Sequence, residues 1–213
     1  MTERTVSPTI LRRLPVYLHY LTSLRGKKRN VSASVIAAHF GLNDVQVRKD
    51  LGAVSGTGRP KTGYDVEELI DQMERCLGCR SETKAVLVGA GNLGRALLSY
   101  GGFADYGLHI VAAFDADESL CGAGAGGKPV YPMSQMEDFC RQEGVRLGII
   151  TVPVDAAQAV CDRMVACGIR AVWNFSPTLL TAPKDVLTEN ENLASSLAVL
   201  SRHLMTPGGE AEA

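Results

Sequence analysis

The 213-residue chain lacks any apolar stretch approaching the roughly 20 residues that cross a bilayer, and its Met1 to Pro8 start is polar. Neither signal peptide nor membrane anchor is therefore expected, and the expected location is cytoplasmic. Paired cysteine motifs are also missing. Cys76 and Cys79 form a single C-x-x-C with no second pair, which argues against a zinc site and leaves a redox pair as the alternative. Cys140, Cys161 and Cys167 fall in helical patterns where a thiol serves as a small hydrophobe. Histidine is scarce: His19 and His39 lie in the N-terminal part, His109 opens a strand pattern and His203 is near the end. None has an evident acid–base setting, so no catalytic residue and no metal ligand is assigned. Net charge is nearly absent at −1, while 46% hydrophobic content with mixed charges fits a soluble globular chain of one large or two small domains.

That near-zero total conceals an asymmetry. Met1 to Tyr64 holds eleven Lys and Arg against three acids, a net of +8, and the remainder of the chain carries −9. A compact basic part joined to an acidic one is the footprint of nucleic-acid binding, because Lys and Arg that neutralise phosphates release counterions. Helical signals supply geometry. Ser7-Pro8 begins a helix of about Pro8 to Leu24. Ser32 caps a second that Gly41 stops, and Asn43 caps a third over Asp44 to Val54. The last two read as helix-turn-helix with the third helix as the recognition element. On its outer face Gln46 suits adenine, Arg48 suits guanine, and Lys49 serves a base or a phosphate. The following glycine-rich stretch Gly56 to Tyr64 reads as a β-hairpin wing that presents Arg59 and Lys61 to phosphate or the minor groove.

The second half alternates strand and helix. Lys84 to Val88 predicts a strand, and Asn92 to Tyr100 a helix. His109 to Phe114, Leu147 to Val152 and Ala171 to Phe175 predict further strands, with a helix over Asp155 to Cys167. This is the pattern of a parallel sheet with helices on both faces. Gly89-Ala90-Gly91-Asn92-Leu93-Gly94 occupies the first strand-to-helix turn, where a dinucleotide pyrophosphate meets free helix N–H groups. Asp115, at the end of the next strand, is placed for the adenosine ribose and favours NAD(H) over NADP(H); Asp117 is a less well-placed candidate. Thr151-Val152-Pro153 and Asn174 stand at strand ends that line such a crevice. Asn174 suits either the carboxamide or an ordinary turn, and Tyr100 suits either the crevice or packing.

Taken in order, Gln46-Val47-Arg48-Lys49-Asp50-Leu51, the wing end Gly63-Tyr64, Val88 to Gly94, Ile110 to Asp115 and Trp173-Asn174-Phe175-Ser176-Pro177 resemble the Rex family of redox-sensing transcriptional repressors. The resemblance runs over about residues 7 to 204. It implies a homodimer in which each winged-helix domain reads half of an inverted-repeat operator in double-stranded DNA, and each Rossmann-like domain binds NADH or NAD⁺ as a regulatory ligand. NADH then favours an arrangement incompatible with DNA. The implied fold is α/β, with a winged helix-turn-helix domain over 1–80, a Rossmann-like parallel-sheet domain over 81–189, a domain-swapped C-terminal helix over 190–206 and a disordered tail over 207–213. The resemblance also implies a switch network at Arg13, Tyr100 and Asn192, and places Leu193 toward the nicotinamide of the partner subunit. Here the chain departs from the family: Asn192 stands where many members carry an acid, and Arg202 where an aromatic is common. The amide keeps a hydrogen bond but loses an ion pair, and charge-assisted bonds are roughly twice as strong as neutral ones. A small NAD-dependent oxidoreductase is the alternative reading, and a ligand-binding regulatory subunit of a transporter a third.

Overall fold

Leucine, valine and isoleucine recur at two different periods along the chain, and a computed structural model shows each period building its own core. It describes residues 6–56, 58–60 and 62–205, with positions 123 and 193 described by backbone only. Lys61 and the 207–213 tail lie outside the described residues. The chain divides into two compact units, Met1–Ser81 with Ala104–Gly107, and Glu82–Phe103 with Leu108–Ala213.

The first unit opens with α1 (Pro8–Leu11) and α2 (Leu14–Leu24) rather than the single helix the spacing predicts. Pro15 accounts for the break. It has no N–H to donate and its ring crowds the carbonyl four residues back, so it is tolerated in the first turn of a new helix and not inside a continuous one. After β1 (Asn30–Val31) come α3 (Ala33–Phe40), whose N-cap Ser32 accepts from the Val35 N–H, and α4 (Asp44–Ser55), whose N-cap Asn43 accepts from the Val45 N–H at 2.8 Å. Gly41 ends α3 in the left-handed region at φ +64. Then β2 (Tyr64–Asp65) pairs antiparallel with β1, and α5 (Val66–Leu77) follows with Asp65 as its cap. Leu14, Leu21, Ile36, Val47, Leu51 and Ile70 meet in a closed core.

The second unit holds a seven-stranded sheet. Its elements are β3 (Thr83–Val88), α6 (Asn92–Ser99), β4 (Leu108–Asp115), β5 (Gly122–Ala123), β6 (Pro129–Pro132), α7 (Met136–Glu143), β7 (Leu147–Ile150), α8 (Val154–Ala166), β8 (Ala171–Asn174), β9 (Leu187–Asn190) and α9 (Leu193–Met205). The strand order is β5-β6-β4-β3-β7-β8-β9, with every pairing parallel except that of the edge strand β5. Without β5, this is the order of the doubly wound dinucleotide-binding fold. β3 is covered on both faces: Val86 and Val88 join one apolar cluster with α7 and α8, and Ala85 and Leu87 join the other with Leu98 of α6. Such two-sided burial is why it reads as an unbroken apolar run. Among the described residues no helix is long and apolar enough to cross a membrane.

Candidate functional site

At β3 the sheet reverses direction of growth, since β4 adds on one side and β7 on the other. Ligands of such sheets lie beyond the carboxyl ends of the strands at this switch point. Two loops meet there, Gly89–Gly94 after β3 and Thr151–Pro153 after β7. Thr151 ties them together, as its N–H donates to Val88 O at 2.9 Å and its hydroxyl donates to Gly89 O at 2.7 Å. Each glycine of the loop answers a different demand. Gly89 has φ +103, and a Cβ on it would press on the Thr151 backbone; a Cβ on Gly94 would run into the Gly89 carbonyl. Gly91 is different, with nothing within 4 Å of where its Cβ would stand. The first two are required by the protein's own packing, whereas the space over Gly91 is open to something else. Ala90 is buried, and Asn92 and Leu93 are exposed in the first turn of α6, where N–H groups have no helical acceptor.

Asp115 ends β4 beside this loop. Its Oδ2 accepts from the Ala90 N–H at 2.6 Å and its Oδ1 from the Asp117 N–H at 2.9 Å. Each carboxylate oxygen can accept a second hydrogen bond, so Asp115 shapes the loop and retains capacity for a hydroxyl. Asp117 instead caps a short turn through the Ser119 N–H, and hydrogen bonding by the Ser119 side chain, with that backbone bond adding to it, holds its carboxyl below the usual range. Asn174 ends β8. It is fully buried, its Nδ2 donates to Thr178 O at 2.7 Å and to Asn190 Oδ1 at 2.9 Å, and its Oδ1 accepts from the Ser176 N–H. Both polar atoms of the side chain are thus engaged by the chain around it, as the turn reading has it. Val152 is half-buried and accepts from the Ser176 hydroxyl, while Pro153 is exposed at the N-cap of α8.

The first unit gathers the basic candidates on one face of α4. Val47, Asp50 and Leu51 point inward, Arg48 and Lys49 are exposed, and Gln46 is half-buried. Arg48 Nη2 donates to Asp44 Oδ2 at 2.8 Å one turn earlier. The wing is shorter than a full hairpin: Arg59 and Gly63 exchange two backbone hydrogen bonds across the turn, and its strand partner is β1, from before α3. Gly63 has φ +76 and lies so close to the Val31 carbonyl that no Cβ fits. Arg59 is exposed at this tip, and Arg48 and Arg59 line one groove of about 360 Å³ with Ser34 and Tyr64. Sequence reasoning missed β1 and α5. The stripe Val66, Leu69, Ile70 and Met73 between Asp65 and Gly78 is a clear helix signal, whereas two residues of strand carry almost none.

Known proteins match both halves. A family profile described as a CoA binding domain covers residues 80–178, and one described as a putative DNA-binding protein N-terminus covers residues 5–52. The redox-sensing transcriptional repressor Rex of Streptomyces coelicolor is 39% identical over 209 residues, 98% of this chain and 81% of the relative. That of Bacteroides fragilis is 41% identical over 204 residues, 95% of this chain and 92% of the relative. The chain belongs to the Rex family. Among solved structures, the Rex-family repressor RSP in complex with β-NAD⁺ and operator DNA superposes with a TM-score of 0.88 at 35% identity, covering 94% of this chain and 93% of that one. RSP in complex with β-NADH gives 0.82 at 34% identity, covering 93% and 94%.

The positions that the Rex resemblance assigns to a switch each have contacts within their own unit. The Arg13 guanidinium grips Asp50 of α4 through two hydrogen bonds of 2.7 Å, and the Tyr17 hydroxyl donates to the same carboxylate at 3.1 Å. The bond to Asp50 raises the Arg13 pKa further, and burial, with Asp50 adding to it, pushes the Tyr17 phenol up. Tyr100 is 58% exposed, its ring edge-on to Phe103 at 4.9 Å, and Phe103 continues an array through Trp173 to Phe175. Asn192 caps α9, accepting from the N–H groups of Ala194 and Ser195. Leu193 opens that helix, and its side chain is outside the description. Cys76 and Cys79 pack against the core of the first unit, where burial raises both thiol pKa values and keeps the thiolate scarce.

Proposed function

We propose that this Rex-family protein is a cytoplasmic redox-sensing transcriptional repressor that binds an inverted-repeat operator as a homodimer and releases it when NADH binds. One observation carries the reading: the match to Rex spans 98% of the chain, so the helix-turn-helix half and the dinucleotide-binding half occur together. The residues fit the ligand. Gly91 leaves room for a pyrophosphate, the first turn of α6 supplies free N–H groups to it, and Asp115 keeps capacity for a ribose hydroxyl. Thr151, Val152 and Pro153 line the same crevice, and Tyr100 and the partner subunit's Leu193 border the nicotinamide. Reduced nicotinamide is neutral and the oxidised ring cationic, so an apolar border favours NADH.

On the DNA side, Gln46, Arg48 and Lys49 read or hold the major groove while Arg59 and Lys61 meet phosphate or the minor groove. The effector acts only through its different affinity for two states of the dimer, and operator DNA must weaken NADH binding by the factor with which NADH weakens operator binding. An oxidoreductase would need an acid–base residue at the nicotinamide, and the relatives that match over the whole chain are repressors. The test is operator affinity at fixed salt with NADH, with NAD⁺ and with neither, on an inverted-repeat duplex selected with the protein. Weaker binding with NADH alone is expected; three equal affinities would sink the reading.

A further inference from the structure

The basic N-terminal part holds one partly exposed acid beside its basic candidates. Of the acids from Met1 to Tyr64, Glu3 is outside the described residues, and Asp50 is buried against Arg13. Asp44 remains, partly exposed at the start of α4, on the face that must approach a polyanion. Asn43 already caps the helix through the Val45 N–H, and Asp44 in the first turn adds the negative charge that a helix N-terminus favours. A carboxylate there repels phosphate and lowers affinity for every duplex.

Its contacts show what it holds. Asp44 Oδ2 accepts from the Ser34 hydroxyl of α3 at 3.2 Å and from Arg48 Nη2 at 2.8 Å. One oxygen thus joins the helix in front to the side chain behind it. We propose that Asp44 is a positioning residue that aims Arg48 at a base and thereby sets operator discrimination, an inference that rests on α4 being the recognition helix. A long, unrestrained arginine beside DNA finds a phosphate as readily as a guanine, and a phosphate contact carries no sequence information. The bond to Asp44 uses one of the five guanidinium N–H groups and leaves the others for the paired acceptors of a guanine edge. Ser34 fixes the carboxylate from a second helix, so rotamer freedom that Arg48 would lose on binding is already reduced in the free protein.

The signature is a pair of effects with opposite sign. Removing the carboxylate lowers base preference, and because a negative charge leaves the face, affinity for unrelated DNA stays constant or rises. A folding defect lowers both. The experiment challenges the full chain and its Asp44→Asn, Ser34→Ala and Arg48→Ala variants with duplexes whose inverted half-sites are randomised, and measures affinity for one scrambled duplex at fixed salt. Arg48→Ala is expected to erase preference at one base pair per half-site. Asp44→Asn should cut it at that same pair by about threefold to tenfold, Ser34→Ala in the same direction, and Asp44→Asn added to Arg48→Ala should change nothing more. If Asp44→Asn and Ser34→Ala keep a preference that Arg48→Ala loses, the role of Asp44 is overturned while the recognition helix stands. Equal losses on selected and scrambled duplexes also overturn it. Full preference in Arg48→Ala would overturn the reading of α4 itself.

Discussion

Asp50 is 1% exposed and carries a charge, which makes it the most demanding side chain of the first unit. Its position follows from the helix: with Val47 and Leu51 inward, residue 50 also faces the core. A buried carboxylate persists only with partners, and Arg13 and Tyr17 provide them from α2 and its N-cap. The motif around Asp50 is plain in the sequence, but the partners lie 37 and 33 residues away, a distance at which helical spacing says nothing. Asp50→Ala, which strands Arg13, is expected to cost about 3 kcal/mol in urea unfolding, whereas Asp50→Asn should cost less because the amide oxygen still accepts. A second residue-scale test uses pH. Glu137 on α7 pairs with Arg163 of α8, which holds its carboxyl below the usual range. A depressed folded pKa gives stability that is present above the unfolded value, about 4.3, and is lost as pH falls through the folded one. Unfolding midpoints of the wild type and Glu137→Gln should differ at pH 7 and converge as pH falls below the folded pKa of Glu137. The pair is partly exposed, so the difference is modest.

At the scale of elements, the glycine loop separates packing from binding. Gly94→Ala drives a methyl group into the Gly89 carbonyl, so the start of α6 must shift and both stability and NADH binding should fall. Gly91→Ala meets nothing within the protein, and its thermal midpoint should stay close to that of the wild type while calorimetric NADH affinity drops at least tenfold. Retained affinity in Gly91→Ala would remove the pyrophosphate from that loop. The central elements were legible because their signals are local: β3 is an apolar run buried on both faces, and α6 starts at a glycine turn. The outer ones were not. β6 begins and ends with proline, β9 is largely exposed, and two-residue strands such as β1 are defined by a distant partner. Pro15 was legible and overlooked, since a proline seven residues into a helical pattern marks a restart when the first helix is only four residues long.

For the whole molecule, α9 is the element that a single chain leaves unfinished. Leu197, Leu200 and Leu204 stand exposed along one face of it, Leu204 at 84%, and Val199 is 71% exposed on another. Such a surface calls for cover, and a second copy supplies it in the proposed dimer. Leu200→Asp is expected to give a monomer by light scattering. With only one half-site engaged, it should bind the operator at least a hundredfold more weakly. A dimer that survives this substitution with full affinity would place the interface elsewhere.

The short ribbon of β1 and β2 bears on how the first unit opens. Its two residue pairs, Asn30 with Asp65 and Val31 with Tyr64, clasp both ends of the segment that contains α3 and α4. Parting them releases the two helices together, so their amides should exchange hydrogen for deuterium as one cooperative group. A duplex that touches only the outer face of α4 will then slow exchange at Ile36 and Ala37, deep in α3. The grip on DNA becomes readable from amides that never meet it.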